Sequence, residues 1–277
     1  MNTRELTEKA VQIRSSILES IVRAGKGHIG GALSCTDILT ALYYGGILKF
    51  DPARPDWPDR DRFILSKGHS CVALFAVLTD LGFIDSKELE TCCRSGSRLG
   101  GHPDHRIPGV EVDSGSLGHG LGIGVGLALA ARLDGRNYRT VVLLGDGECY
   151  EGSVWEAAMF AGHQCLSNLT AVIDRNGQCV TDYTEDCNRL EPLAEKWQSF
   201  GWEARVINGH DFSEIIHALT ARGATSPARP LAVIARTVKG RGVSFMEGRL
   251  CWHHGVPNGS DLKTARRELG REGRTAI

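Results

Sequence analysis

Residues 140–148 read Thr140-Val141-Val142-Leu143-Leu144-Gly145-Asp146-Gly147-Glu148, and residues 169–178 read Leu169-Thr170-Ala171-Val172-Ile173-Asp174-Arg175-Asn176-Gly177-Gln178. Each opens on a largely apolar run without polar alternation, the pattern of a strand covered on both faces. Gly152 to Cys165, between them, reads as a helix. Strand, helix and strand at this distance make one crossover, which sets the two strands parallel. If they pair, Asp146 and Asn176 emerge side by side at the carboxyl edge, where α/β sheets bind ligands. Asp146 then offers a carboxylate oxygen, Asn176 an amide oxygen, and the Gly177-Gln178 turn a main-chain carbonyl. Three oxygen donors without thiolate or imidazole describe a hard cation such as Mg²⁺ or Ca²⁺. Gly145 and Gly147 let main-chain amides approach a phosphate, and the helix starting near Gly152 points its positive end there. Taken singly, a strand-end Asp and an Asn-Gly turn are ordinary capping and turn chemistry. Their spacing is what makes them informative.

Outward from this unit, Phe63-Ile64-Leu65, Ala204–Ile207 and Leu231–Val238 are further strand candidates, with helices expected at Pro192–Phe200 and Phe212–Arg222. Leu6, Ala10, Ile13, Ile17 and Ile21 form a helical stripe that ends at Ala24-Gly25-Lys26-Gly27. Ser34-Cys35-Thr36-Asp37 is expected to cap a second, short helix, and an alanine-rich helix is expected to run to Leu81. Strands alternating with helices predict a three-layer α/β/α sandwich around a mostly parallel sheet. One domain is expected over 1–258, followed by a polar helix or tail over 259–277. Gly118-x-Gly120-x-Gly122-x-Gly124-x-Gly126 has dinucleotide-like spacing, but Glu111-Val112-Asp113-Ser114 is no strand to precede it. Gly118, Gly122 and Gly126, four apart, are expected instead to form a smooth helix face.

The chain has 277 residues, 32 Lys+Arg against 33 Asp+Glu, and 34 glycines but only nine prolines. A net charge of −1 without a basic stripe argues against nucleic acid or anionic lipid as a partner. The longest nearly apolar run, Leu121–Ala131, is too short to cross a bilayer, and Met1–Glu5 lacks a secretion core, so a cytoplasmic protein is expected. Nine cysteines without a CxxC pair suit reduced, scattered thiols.

The Gly-Asp-Gly-Glu turn followed thirty residues later by Asn176 resembles the thiamine diphosphate signature. Five further stretches resemble transketolases and occur in that family's order: Leu65-Ser66-Lys67-Gly68-His69, Gly100-Gly101-His102-Pro103-Asp104, Gly115-Ser116-Leu117-Gly118, Glu151-Gly152 and His254-Gly255-Val256-Pro257. The resemblance spans about Gly25 to Pro257. It implies a thiamine diphosphate-binding domain of the diphosphate (PP) type, with Mg²⁺ held by Asp146, Asn176 and Gln178, and Ca²⁺ as a substitute. It implies cofactor contacts at His69, Gly115, Ser116, Leu117, Gly145, Asp146, Gly147, Glu148, Glu151, Asn176, Lys239 and His254. The catalytic histidines implied are His28, His69, His102 and His254, which suit an active site that moves protons on a sugar. His163, His210 and His217 read as ordinary polar residues, and His105 and His253 stay undecided. Ile29 and His119 depart from the family's usual Pro and Gln.

The family places the Glu that activates the pyrimidine ring on a second domain downstream, and 277 residues leave no room for one. The resemblance therefore implies the N-terminal subunit of a split transketolase. Its partner would be a C-terminal subunit carrying the pyrimidine-binding domain, in an α2β2 heterotetramer that self-associates and acts on sugars or sugar phosphates. The alternatives are half of another two-chain thiamine diphosphate enzyme (a 2-oxo acid dehydrogenase α subunit or a deoxyxylulose-phosphate synthase-like half) or a non-catalytic interaction protein. The hydroxyl-reading histidine set favours ketol transfer.

Overall fold

The computed structural model describes residues 1–221 and 229–270. It opens with helix α1 (Thr3–Ala24), whose start is fixed by Asn2 and Glu5, each side chain accepting from the other's main-chain amide. Its end is fixed by Gly25 at φ 69°. The expected stripe of Leu6, Ala10, Ile13, Ile17 and Ile21 is fully buried. Next come α2 (Ile29–Ser34), α3 (Thr36–Tyr44), β1 (Arg62–Leu65), α4 (Cys71–Asp80), α5 (Ser86–Glu90), α6 (His119–Leu133) and β2 (Thr140–Gly145). The second half adds α7 (Gly152–His163), β3 (Leu169–Arg175), α8 (Thr184–Cys187), α9 (Leu193–Ser199), β4 (Glu203–Asn208), α10 (Phe212–Thr220), β5 (Leu231–Arg236) and α11 (Gly259–Glu268).

Among the described residues, the five strands of the sheet are all parallel, in the order β1-β2-β3-β5-β4. Alternate residues of each central strand enter separate cores. Val141, Leu143, Val172 and Val233 pack with α1 to α4 and α10, while Val142, Leu144, Ala171 and Ile234 pack with α6, α7 and α9. Both faces are therefore covered, which explains the continuous apolar runs and gives the three layers. Gly145 pairs with Asp174 in register, so Asp146 and Asn176 leave the sheet together.

Two local expectations need correction. Ser34-Cys35-Thr36-Asp37 does lead into a short helix, with Cys35 at the N-cap of α3, but no side chain there makes a capping hydrogen bond, and a further helix, α2, already runs up to Ser34. Ser34 instead donates to Asp174 (2.5 Å), Thr36 to Ala32 O (2.9 Å), and Asp37 pairs with Arg14 (2.7 Å). Of the expected set, Gly118 at the N-cap of α6 is packed against Glu151 and Ser153, but on the helix itself Gly122 and Gly126 face open space and are not the packed glycines. Those are Gly120, against Ser66, and Gly124, where a methyl would sit 2.5 Å from Val142 Cγ2. The segment from Gly259 packs as α11, with Ala265 and Leu269 in the core and Arg266 paired to Glu19 (2.8 Å). Arg222, the last residue of the helix expected from Phe212, and residues 271–277 of the expected tail lie outside the described residues. No helix among the described residues is long and apolar enough to cross a membrane.

Candidate active site

Strand ends β2 and β3 build one wall of a cavity of about 220 Å³. Asp146, Asn176, Gln178, Lys239 and His253 line it, with Gly145, Gly147, Glu148, Glu151 and Leu117. Gly177 N donates to Asp146 Oδ2 at 2.6 Å, and Gly147 N to Asp146 Oδ1 at 2.8 Å, so the two loops are tied through one carboxylate. Asn176 Oδ1 accepts from Gln178 N (3.1 Å). The Gln178 side chain donates to Gly248 O (2.7 Å), and its main-chain carbonyl accepts no hydrogen bond from a described residue. Burial and the neighbouring Asp174 raise the Asp146 carboxyl above its ordinary range, against the hydrogen bond from Gly177 and the charge of Arg175. A hard cation among Asp146, Asn176 and the Gln178 carbonyl would fit this donor set.

Lys239 is the counterpart. Its ammonium, almost fully buried, donates to the main-chain carbonyl of Cys179 (3.1 Å) and pairs with no carboxylate among the described residues. Burial, then repulsion from Lys67, lowers it from 10.5 to about 8. His253 Nδ1 is buried without a hydrogen-bond partner. A cleft with an unneutralised ammonium and an orphaned imidazole nitrogen, beside an edge of oxygen donors, would suit a diphosphate–metal pair.

Glu148 lines the same cavity, but both its oxygens are engaged by the protein. Oε1 accepts from Ser66 Oγ and from Gly118 N (2.9 Å), and Oε2 from Gly145 N (3.0 Å). It joins three loops at the sheet edge. Glu151 stands at the start of α7, packed against Gly118. Ser116 is exposed and borders neither this cavity nor the one described next.

A second cavity, of about 540 Å³, adjoins the first. His28, His69, His102 and His254 line it, and His69 borders both. The His28 ring lies 5.3 Å from His69, 5.3 Å from His253 and 4.8 Å from His254. The His102 ring lies over Gly115, whose φ of +150° and missing Cβ admit it. Burial, then the charges of its neighbours, brings His28 and His253 down to about 4 and His69 lower still. These three imidazoles are neutral at pH 7, and so act as proton acceptors or neutral donors rather than as cations. His105 pairs with Asp113 (2.9 Å), and His119, His163 and His217 are exposed. His210 is more than a loop residue: Nδ1 bonds Asp37 (2.6 Å) and Nε2 accepts from Val238 N (2.8 Å), joining α3 to the end of β5.

Sequence reasoning passed over the groups beneath the site. Lys67 is buried, bonded to Gly31 O (3.1 Å) and to Asp174, which Ser34 and Thr237 also engage. Arg175 reaches Asp146 (3.0 Å), Thr184 (2.7 Å), Glu185 (2.8 Å) and Glu191 (3.2 Å). Lys67 sits within one of the quoted family stretches, and that was the signal available for it.

The family profile described as the transketolase thiamine diphosphate-binding domain matches residues 6–276. An apulose-4-phosphate transketolase subunit from Phocaeicola vulgatus is 43% identical over 269 residues, covering 97% of this chain and 95% of that one. The 6-deoxy-6-sulfo-D-fructose transketolase subunit SqwG of a Clostridium species is 41% identical, with 97% and 98% covered. The solved transketolase of Campylobacter jejuni superposes with a TM-score of 0.89 at 31% identity, over 98% of this chain but only 43% of that one.

Proposed function

The chain belongs to the transketolase family as a thiamine diphosphate-binding N-terminal domain, and from that premise we propose that it is one subunit of a two-chain, Mg²⁺-dependent transketolase of the cytoplasm. The enzyme would carry a two-carbon ketol unit from a ketose or ketose phosphate to an aldose or aldose phosphate. The observation that carries this reading is the position of His69 between the two cavities. A group anchored at the oxygen edge would present its far end to the histidines.

Asp146, Asn176 and the Gln178 carbonyl would hold Mg²⁺; Lys239, His69 and His253 would face the diphosphate; and Gly115–Leu117 would lie against the ring system. Thiamine diphosphate, when bound, supplies the carbanion chemistry that cleavage between a ketose C2 and C3 requires. His28, neutral and within ring contact of His69 and His254, is suited to accept the hydroxyl proton released in that cleavage. His102, held flat against Gly115, would orient the donor's hydroxyls. Lys26 and Arg94 also border the larger cavity. They favour a sugar bearing an acid group, as in the substrates for which the two relatives are named.

The pyrimidine-activating Glu would come from a separate C-terminal subunit in an α2β2 assembly. The near-equal lengths of the two relatives named as subunits support that arrangement. The test is a ketol-transfer assay of this chain with that subunit, with and without thiamine diphosphate and Mg²⁺. Activity should require both chains and both additives, and Asp146→Ala should abolish it. Decarboxylation of pyruvate without turnover of ketoses would overturn the reading, as would full activity of this chain alone.

A further inference from the structure

Two cysteines eight positions apart, Cys179 and Cys187, bring their sulfurs within 3.2 Å. Cys187 closes α8 and is exposed, while Cys179 lies on the wall of the smaller cavity. Cys179 sits in a tight turn, its amide donating to Asp182 O (2.9 Å) and its carbonyl accepting from the Lys239 ammonium (3.1 Å). It packs on the Gly-Asp-Gly turn so closely that a methyl on Gly147 would lie 3.2 Å from its Cβ. The nine residues from 179 to 187 therefore form a flap whose first residue touches both the turn and the buried cation of the candidate diphosphate site. The other close sulfur pair, Cys92 and Cys93 at 3.7 Å, is adjacent in sequence and closes no such flap.

We propose that Cys179 and Cys187 form a reversible disulfide that pins this flap and slows exchange of the anionic cofactor. A disulfide needs about 2.05 Å between sulfurs, so closing the bond takes a shift of roughly 1 Å. Cys179 opens onto the smaller cavity and takes the first step. The oxidant is a hydroperoxide. The Cys179 sulfur attacks its terminal oxygen, the O–O bond breaks, and a sulfenic acid forms as water or an alcohol departs. The Cys187 sulfur then attacks the sulfenic sulfur, the S–O bond breaks, and hydroxide leaves as water with the Cys187 proton. Two thiols have lost two protons and two electrons, and the hydroperoxide has been reduced. A dithiol returns both sulfurs to thiols by exchange.

The pairing stands on the geometry alone, whereas its effect on the cofactor rests on the function proposed above. Both are tested on the chain assembled with its C-terminal subunit. After hydrogen peroxide and alkylation, proteolysis should yield the Cys179 and Cys187 peptides joined with loss of two hydrogens. Dithiothreitol should reverse the link, and Cys187→Ser should lack it. Thiamine diphosphate release, followed by a chase with excess unlabelled cofactor, should slow about threefold or more on oxidation, as for a lid held shut, in wild type but not in Cys187→Ser. Peroxide consumed with the two peptides unlinked overturns the pairing. A linked protein with unchanged release overturns the control of exchange. Absence of thiamine diphosphate binding in the reduced protein overturns the functional reading and the exchange claim, and leaves the peptide map to decide the pairing.

Discussion

Replacing Lys67 by Met removes a charge that no water reaches. The Lys67 and Asp174 side chains are 2% and 0% exposed, and Asp174 sits beneath both candidate ligand loops, between Ser34, Thr237 and Asn176. Met fills nearly the same volume, so packing changes little. The Asp174 carboxylate, however, loses its cation and keeps only neutral donors. Breaking a buried pair in this way costs about 3–5 kcal/mol, much of a typical domain's stability of about 5–15 kcal/mol. At about 2–4 °C per kcal/mol for a chain approaching this size, Tm should fall by roughly 6–20 °C. Urea unfolding followed by the fluorescence of Trp197 and Trp202, both fully buried in the core opposite α1, measures the loss. Asp174→Asn alone should also destabilise, because it strands the ammonium. The double variant should be less costly than the sum of the two by about 1–3 kcal/mol. A loss under about 1 kcal/mol for Lys67→Met, or strict additivity in the double, would refute the claim that this pair supports the site.

Three further outcomes follow from the geometry. Gly122→Ala and Gly126→Ala, in open space on α6, should each stabilise by about 0.5–1 kcal/mol in chemical denaturation. Gly124→Ala, driven into Val142, should destabilise by about 1–3 kcal/mol, and equal effects at all three positions would contradict the packing described. Gly115→Ala should leave the chain folded by circular dichroism, yet displace the His102 ring and lower kcat/KM of the reconstituted enzyme by about 100-fold. His28, His69 and His253 have folded-state values below their ordinary 6.5. Their contribution to stability is complete above about 6.5 and is lost as pH falls through about 4 for His28 and His253 and lower still for His69, so Tm should decline below about 6.5 and decline less in His28→Asn. A profile identical in wild type and variant would count against the depressed imidazole.

The central crossover was legible because both faces of β2 and β3 are covered, so burial writes itself into the sequence as unbroken apolar runs. Asp146 and Asn176 could then be placed by counting from the strand ends. Helix α2 was not legible, since Gly30 and Gly31 look like breakers. Both are there for packing, a Cβ on Gly30 lying 2.5 Å from Trp252 O and one on Gly31 2.9 Å from Ser70 Oγ. The same ambiguity misassigned α6, where glycines four apart mark a smooth face without saying which of two sets of glycines faces inward. Lys67 and Asp174 stayed hidden because they meet across 107 positions, and a charged residue defaults to the surface until its partner is seen. His253 and His254 are neighbours in sequence, yet each lines a different cavity, and no periodicity reports that.

Glu148 has a consequence for how any ligand is received. One carboxylate holds Ser66 after β1, Gly118 at the start of α6 and Gly145 at the end of β2, using oxygens that no visitor needs to touch. Three segments that would otherwise have to be ordered on arrival are already locked together. Association on that side of the cleft is then a meeting with a finished surface, and little of the gross interaction energy is lost to settling the backbone. Calorimetry should see this as a modest entropic penalty, and Glu148→Ala as a larger one for the same contacts.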